Sequence, residues 1–150
     1  MLTLHRTNGA DPAFRALIRA LDQDLISRYG AQMDFFGQYN HSADVETALV
    51  VRFNGEPAGS GCFKPFSKDA VEIKRMFVPP EYRGKRIARA VLAELEGWAR
   101  EQGYRFAVVE TGILQPEAIR LYEAAGYERI PNYPPYENVK ESVCFRKPLL

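Results

Sequence analysis

The chain has 150 residues, 46% hydrophobic and 26% charged, with a formal net charge of +1, which fits one ordinary domain over 1–150 with a sizeable core. Near-neutral charge argues against bulk attraction to nucleic acid or a membrane surface, and no stretch approaches the ~20 apolar residues needed to span a bilayer. Cys62 and Cys144 are too few for a disulfide framework or a thiolate metal site, so with no signal peptide visible a reducing, cytoplasmic location is expected.

Leu2–Thr7 alternates apolar and polar residues and reads as a first strand. Asn8-Gly9-Ala10-Asp11-Pro12 is turn chemistry, with Asp11 an N-cap and Pro12 at the first helical position. Pro12–Tyr29 then reads as a helix with Phe14, Leu17, Ile18, Leu21 and Leu25 on one stripe and Gly30 at its end. Gln32–Asp44 is read as a short helix or an ordered loop. Its Met33, Phe35, Phe36 and Tyr39 either pack on the core or line a pocket. His41 is read as a surface histidine, and with only His5 beside it a histidine metal cluster is unsupported. Thr47–Phe53 and Pro57–Phe63 are strands joined around Asn54-Gly55, a hairpin signal. After a turn at Lys64–Asp69, Val71–Val78 completes an antiparallel meander. Val71 and Ile73 share parity there, whereas Met76 and Val78 have the opposite one. A bulge near Lys74-Arg75, or burial on both faces, would account for this.

Pro79 and Pro80 stop that strand, and Glu81-Tyr82-Arg83-Gly84-Lys85 forms a loop. A helix begins near Arg86, with Ile87, Val91, Leu92, Leu95, Trp98 and Ala99 on one face and Gly103 as a stop. A strand, a basic glycine turn and a helix N-terminus make an anion cradle, because the first helical N–H groups lack internal partners and the dipole favours negative charge. Arg83, Lys85 and Arg86 surround Gly84, and a diphosphate would suit them. An exposed charged loop is the bland alternative. Neither a G-K-[ST] ending nor G-x-G-x-x-G is present, which argues against a P-loop or dinucleotide fold. Phe106–Thr111 is a strand parallel to Val71–Val78, since a helical crossover joins them. Gly112–Leu114 is a loop and Pro116–Ala125 a short helix stopped by Gly126. Tyr127–Ile130 is a strand, Asn132–Asn138 a proline-rich loop, and Ser142–Phe145 begins a last strand running toward Pro148.

Arg83-Gly84-Lys85-Arg86-Ile87-Ala88, after a strand and before a helix, resembles the acyl-CoA pyrophosphate loop of the GNAT superfamily of N-acetyltransferases. Arg83 and Ala88 match the ends of the family's pattern, and Arg86 stands where the family usually has Gly. Ala118 through Tyr127, reading AIRLYEAAGY, resembles a second GNAT signature. The two cover roughly 71–127, and the chain is similar to small bacterial members. The resemblance implies an α/β fold of α+β type, with a mixed sheet, an antiparallel N-terminal meander and a parallel pair around the cofactor loop. It implies acetyl-CoA as cosubstrate, no metal, and contacts from Met76, Phe77, Val78, Arg83, Gly84, Lys85, Arg86, Ile87, Ala88, Gln115 and Tyr122. Gln115 stands where many members have Asn, and Tyr122 matches the family's frequent general acid; a core tyrosine is the alternative for Tyr122.

Acetyl transfer needs a held thioester, a neutral amine and a protonated leaving thiolate. An amine of pKa ~10.4 costs about 4.6 kcal/mol to deprotonate at pH 7. Glu72 and Glu110, one on each central strand, are the candidate bases if burial raises their pKa. Ion pairs with Lys74, Arg75 or Arg105 are the alternative use. Cys62 and Cys144 lie in apolar strands, which argues for inert thiols and direct transfer. The expected acceptor is the primary amine of a small molecule, over which the Met33–Tyr39 and Tyr133–Tyr136 segments would close. A protein lysine or N-terminus, or a non-catalytic acyl-CoA sensor, stay open as alternatives. No nucleic-acid or membrane partner is expected, and a homodimer is the oligomer considered.

Overall fold

The computed structural model describes residues 1–30 and 44–150. The stretch containing Met33, Phe35, Phe36, Tyr39 and His41 lies outside these residues. A seven-stranded sheet runs β1 (Leu2–Thr7), β2 (Thr47–Phe53), β3 (Glu56–Pro65), β4 (Ala70–Phe77), β5 (Phe106–Gly112), β7 (Ser142–Pro148) and β6 (Glu128–Ile130) in spatial order. Every neighbouring pair is antiparallel except β4–β5. Helix α1 (Pro12–Tyr29) precedes β2, α2 (Ile87–Glu101) crosses over between β4 and β5, and α3 (Pro116–Ala124) follows β5. The mixed α/β architecture is therefore the expected one.

The two faces of the sheet are filled separately. On one, Leu49, Val51, Val71, Ile73, Val109 and Phe145 meet Ile87, Val91, Leu92, Leu95 and Ala99 of α2 in the main core. On the other, Phe14, Leu17 and Leu21 of α1 pack on Ala48, Val50, Cys62 and Phe77. Alternation along each strand divides these sets, since successive side chains point to opposite faces. Helix α2 lies almost on the backbone of β3. A Cβ at Gly61 would stand 2.7 Å from Met76 Sδ and 2.8 Å from Val91 Cγ1, so no larger residue fits without displacing them. Arg6 of β1 binds α2 from the sheet edge, with ion pairs to Glu94 at 2.7 Å and Glu101 at 2.8 Å.

The parity change in β4 is a bulge. Ser60 faces Phe77 and Cys62 faces Lys74, so two steps on β3 match three on β4. Arg75 takes φ +60° inside it. Met76 and Val78 consequently rejoin Val71 and Ile73 against the main core, and Phe77 turns to the α1 face. Ser60 Oγ donates to the Arg75 carbonyl at 3.3 Å, and the Arg75 guanidinium reaches Asp22 of α1 at 2.7 Å.

Candidate active site

The parallel pairing of β4 and β5 runs from Ala70–Phe106 to Ile73–Val109. Beyond it, the bulge carries β4 away, and the strands diverge into a slot. Two adjoining hollows occupy this opening and share Leu21, Met76, Gln115, Ala118 and Tyr122. The larger, of about 300 Å³, runs over Phe77 and Val78 to Arg83, Gly84, Arg86, Ile87 and Ala88. The smaller, of about 80 Å³, is lined by Tyr29, Lys74, Arg75, Glu110 and Gly112.

The basic end is built on the first turn of α2. The contrast with α1 shows what is special there. Asp11 caps α1 with its own carboxylate, accepting from the N–H groups of Ala13 at 2.8 Å and Phe14 at 3.3 Å. Helix α2 has no side-chain cap and no acidic residue in its first turn. Its first N–H groups therefore keep their affinity for an external anion. Arg86, the N-cap, takes φ +62° and ψ 24°, the left-handed conformation glycine adopts without strain. Arg86 thus meets at a steric cost a backbone requirement that glycine would meet freely. Arg83 Nε donates to the Val78 carbonyl at 2.9 Å, which anchors the guanidinium at the end of β4. Lys85 is turned elsewhere: its Nζ lies 5.2 Å from the Phe53 ring centroid, and it does not line the hollow. Arg89 does line it, one helical position past the quoted motif.

Two carboxylates rise from the central strands on the α1 side of the sheet. Glu72, on β4 opposite Val108, accepts from the Tyr133 hydroxyl at 2.9 Å and lies 3.7 Å from Lys74 Nζ. It lines neither hollow. Glu110, two residues past Val108, stands where the strands have parted and lines the smaller hollow. Ser142 Oγ donates to its Oε2 at 2.6 Å. Burial pushes the Glu110 carboxyl up to about 7, against the opposing Ser142 hydrogen bond and the Lys74 charge.

Tyr122 of α3 reaches the junction of the two hollows from the opposite side. Its ring packs near Tyr127 at 5.7 Å and Phe145 at 6.0 Å, and its hydroxyl makes no hydrogen bond among the described residues. Burial raises its pKa. Gln115 sits at the N-cap of α3 and accepts from the Gly112 N–H at 3.3 Å. Tyr29, absent from the sequence-based candidates, fills the space beside Gly112: a Cβ there would fall 1.6 Å from the Tyr29 hydroxyl oxygen. That hydroxyl accepts from the Leu114 N–H at 3.2 Å. Helix periodicity assigns Tyr29 only to a helix end, and the partner that gives it a role is 85 residues away.

Tyr133 and Tyr136, read as closing over a substrate, instead pack with Val108 and Cys144, Tyr136 being 1% exposed. Cys62 and Cys144 are buried, and desolvation pushes their thiols up to about 12 and about 11, which disfavours thiolate chemistry. Among the described residues, no group of three or more His, Cys, Asp or Glu could hold a metal ion. No helix among them is long and apolar enough to cross a membrane.

The sequence model of the acetyltransferase (GNAT) family matches residues 14–127. The chain belongs to the GNAT family of N-acetyltransferases. An IAA acetyltransferase from Azospirillum brasilense is 32% identical to it over 99% of this chain and 98% of that relative. A Klebsiella pneumoniae crystal structure, provisionally designated an acyl-CoA N-acyltransferase, superposes with a TM-score of 0.83 at 30% identity, covering 100% of this chain and 99% of the other. The PaiA N-acetyltransferase of Thermoplasma acidophilum, solved with coenzyme A, shares the fold at 13% identity and a TM-score of 0.76, over 99% of each chain. As a GNAT enzyme this chain is an acyltransferase.

Proposed function

We propose that this GNAT enzyme transfers acetyl from acetyl-CoA directly to the primary amine of a small molecule. The observation that carries the reading is the pair of adjoining hollows with a shared wall. One reaches the uncapped, arginine-lined N-terminus of α2 and the other the β4–β5 splay that holds Glu110. The pyrophosphate suits the basic end, where Arg83, Arg86, Arg89 and the first N–H groups of α2 supply charge-assisted donors. The apolar surface of Met76, Phe77, Val78, Ala118 and Leu121 suits the thiol-bearing arm. The name of the full-length Azospirillum relative supports acetyl as the transferred group, and the coenzyme A complex of the Thermoplasma protein supports the ligand.

Glu110 is assigned as the base and Tyr122 as the acid. The amine lone pair attacks the thioester carbon, C–N forms, and C–S breaks. The amine proton goes to Glu110, directly or through water, and the departing sulfur receives one from Tyr122. An ordinary carboxylate of pKa ~4.5 lies ~6 units below the amine; at about 7, Glu110 lies only ~3.4 below it. Glu72 is given a structural part, since Tyr133 and Lys74 occupy it. Incubation of the protein with acetyl-CoA and a panel of small amines, scored by thiol release and by mass of the product, tests the reading. Acetylation of one or more free amines is expected. Modification of peptide N-termini or lysines alone would overturn the small-molecule assignment, and tight coenzyme A binding without turnover would leave a sensor.

A further inference from the structure

We propose that Ser142 is a positioning residue for acyl transfer, whose hydroxyl holds the Glu110 carboxylate ionised and turned into the β4–β5 splay. The inference rests on Glu110 as the base. It starts from register. Glu110 faces Cys144 across the β5–β7 ladder, and Ser142 faces Gly112. Ser142 and Glu110 are thus diagonal neighbours on one face, a distance a short side chain spans only if nothing projects between them. Gly112 projects nothing, and the Tyr29 hydroxyl closes the remaining space. The result is the 2.6 Å bond from Ser142 Oγ to Glu110 Oε2, made by a serine only 3% exposed.

The strand does not need that hydroxyl to stay in place. The Ser142 N–H donates to the Val139 carbonyl at 3.0 Å, and its carbonyl accepts from Asn132 Nδ2 at 3.1 Å. The same amide donates to the carbonyls of Tyr136 at 3.2 Å and Val139 at 3.1 Å, and the Ile113 N–H donates to Glu141 at 2.8 Å. The backbone is fixed on both sides, so the hydroxyl proton is available to the carboxylate. Lys74 and Glu72 on β4 act on Glu110 through space with opposite signs. Tyr29 of α1, Tyr122 of α3, Tyr133 and Tyr136 of the following loop, and Cys144 of β7 feel the Glu110 charge in turn, each disfavoured from ionising beside it. Ser142 supplies the side-chain hydrogen bond that favours the ionised form.

The test is a direct titration of the apoprotein, labelled with carboxyl-¹³C glutamate and followed by NMR, with the Glu110 resonance assigned by its loss in Glu110→Gln. Ser142→Ala is expected to raise the Glu110 midpoint by about one pH unit, and Ser142→Cys, a weaker donor of similar size, by less. The cysteine variant also serves if the alanine variant does not fold. Turnover of the best amine in the panel should fall more at neutral than at alkaline pH, whereas a purely structural serine would lower it equally. A midpoint unmoved in a folded variant overturns the proposal. A midpoint that moves while Glu110→Gln keeps full turnover leaves the coupling standing and removes Glu110 from the chemistry, so the two readings fail separately.

Discussion

Glu72 and Glu110 stand one strand apart on the same face of the sheet, yet they have different surroundings. Glu72 lies within the paired stretch of β4 and β5, where the ladder is complete and a tyrosine and a lysine close around it. Glu110 lies past the last pair, facing a hollow, with a serine as its hydrogen-bond donor. Residue type and burial alone do not separate them. What separates them is the end of the ladder, which the β4 bulge fixes at Ile73–Val109. A carboxylate in the closed part is taken up by neighbouring side chains, and the same group at the opening faces a hollow.

Substituting the two glutamates puts this contrast at most risk. Glu110→Gln should lower kcat/KM by about 10²–10⁴-fold. Glu72→Gln should leave turnover nearly intact and reduce stability by about 1–3 kcal/mol, because the Tyr133 hydroxyl and Lys74 lose a charged partner. Equal kinetic losses would break the distinction. The pH dependence of stability sharpens it. A carboxyl whose folded pKa is raised binds its proton more tightly in the folded state. Its stabilising contribution is therefore full below the ordinary 4.5 and lost as pH rises to about 7. Glu110→Gln should remove that loss, raising Tm at pH 8 relative to wild type while leaving pH 4 nearly unchanged, as read by thermal melts.

Tyr122→Phe comes next in size. Burial makes the phenol a weaker acid still, so its hydroxyl should contribute toward the low end of the acid–base range, about 10²-fold in kcat. Coenzyme A affinity should barely move. Turnover within twofold of wild type would leave Tyr122 a core residue packed on Tyr127 and Phe145. At the basic end, Arg83→Ala should weaken acetyl-CoA binding by about 1.5–3 kcal/mol if its guanidinium meets phosphate. Lys85→Ala, whose ammonium lies over Phe53, should cost less. Calorimetry of the two variants measures the difference. The smallest effect is expected of Arg86→Gly. Relief of left-handed strain, about 1–2 kcal/mol, is partly offset by ~0.4–1 kcal/mol of unfolded-chain entropy. Stability should rise slightly, and a fall would show that the Arg86 side chain makes a contact worth more than the strain.

Much of this was legible in the residues, and what was not has a physical reason. Asp11-Pro12 and Gly30 bound α1, and Asn54-Gly55 turns the hairpin, because caps and turns are local chemistry. The parity break at Lys74-Arg75 signalled the bulge, although burial on both faces would have left the same pattern. Residues of both signatures line the hollows at the β4–β5 splay. Sequence did not separate Glu72 from Glu110, since that depends on where two distant strands stop pairing. It offered Tyr133 and Tyr136 to the substrate because aromatic loops look alike whether they cover a ligand or a strand. Tyr29, Arg89 and Ser142 escaped for a related reason: each gains its part only from a partner across the fold or a place beside a hollow.

The bare first turn of α2 also bears on how the enzyme holds itself together. Helix α1 carries its own side-chain cap, whereas the leading amides of α2 have none. Under the proposed function, acetyl-CoA is then a structural part of the helix as well as a reactant. Amide protons at Ile87, Ala88 and Arg89 should exchange quickly in the free protein and slow when coenzyme A is added. The melting temperature should climb with coenzyme A concentration, as for any ligand that binds only the folded chain. Under that reading the folded fraction of the enzyme rises with the concentration of coenzyme A around it.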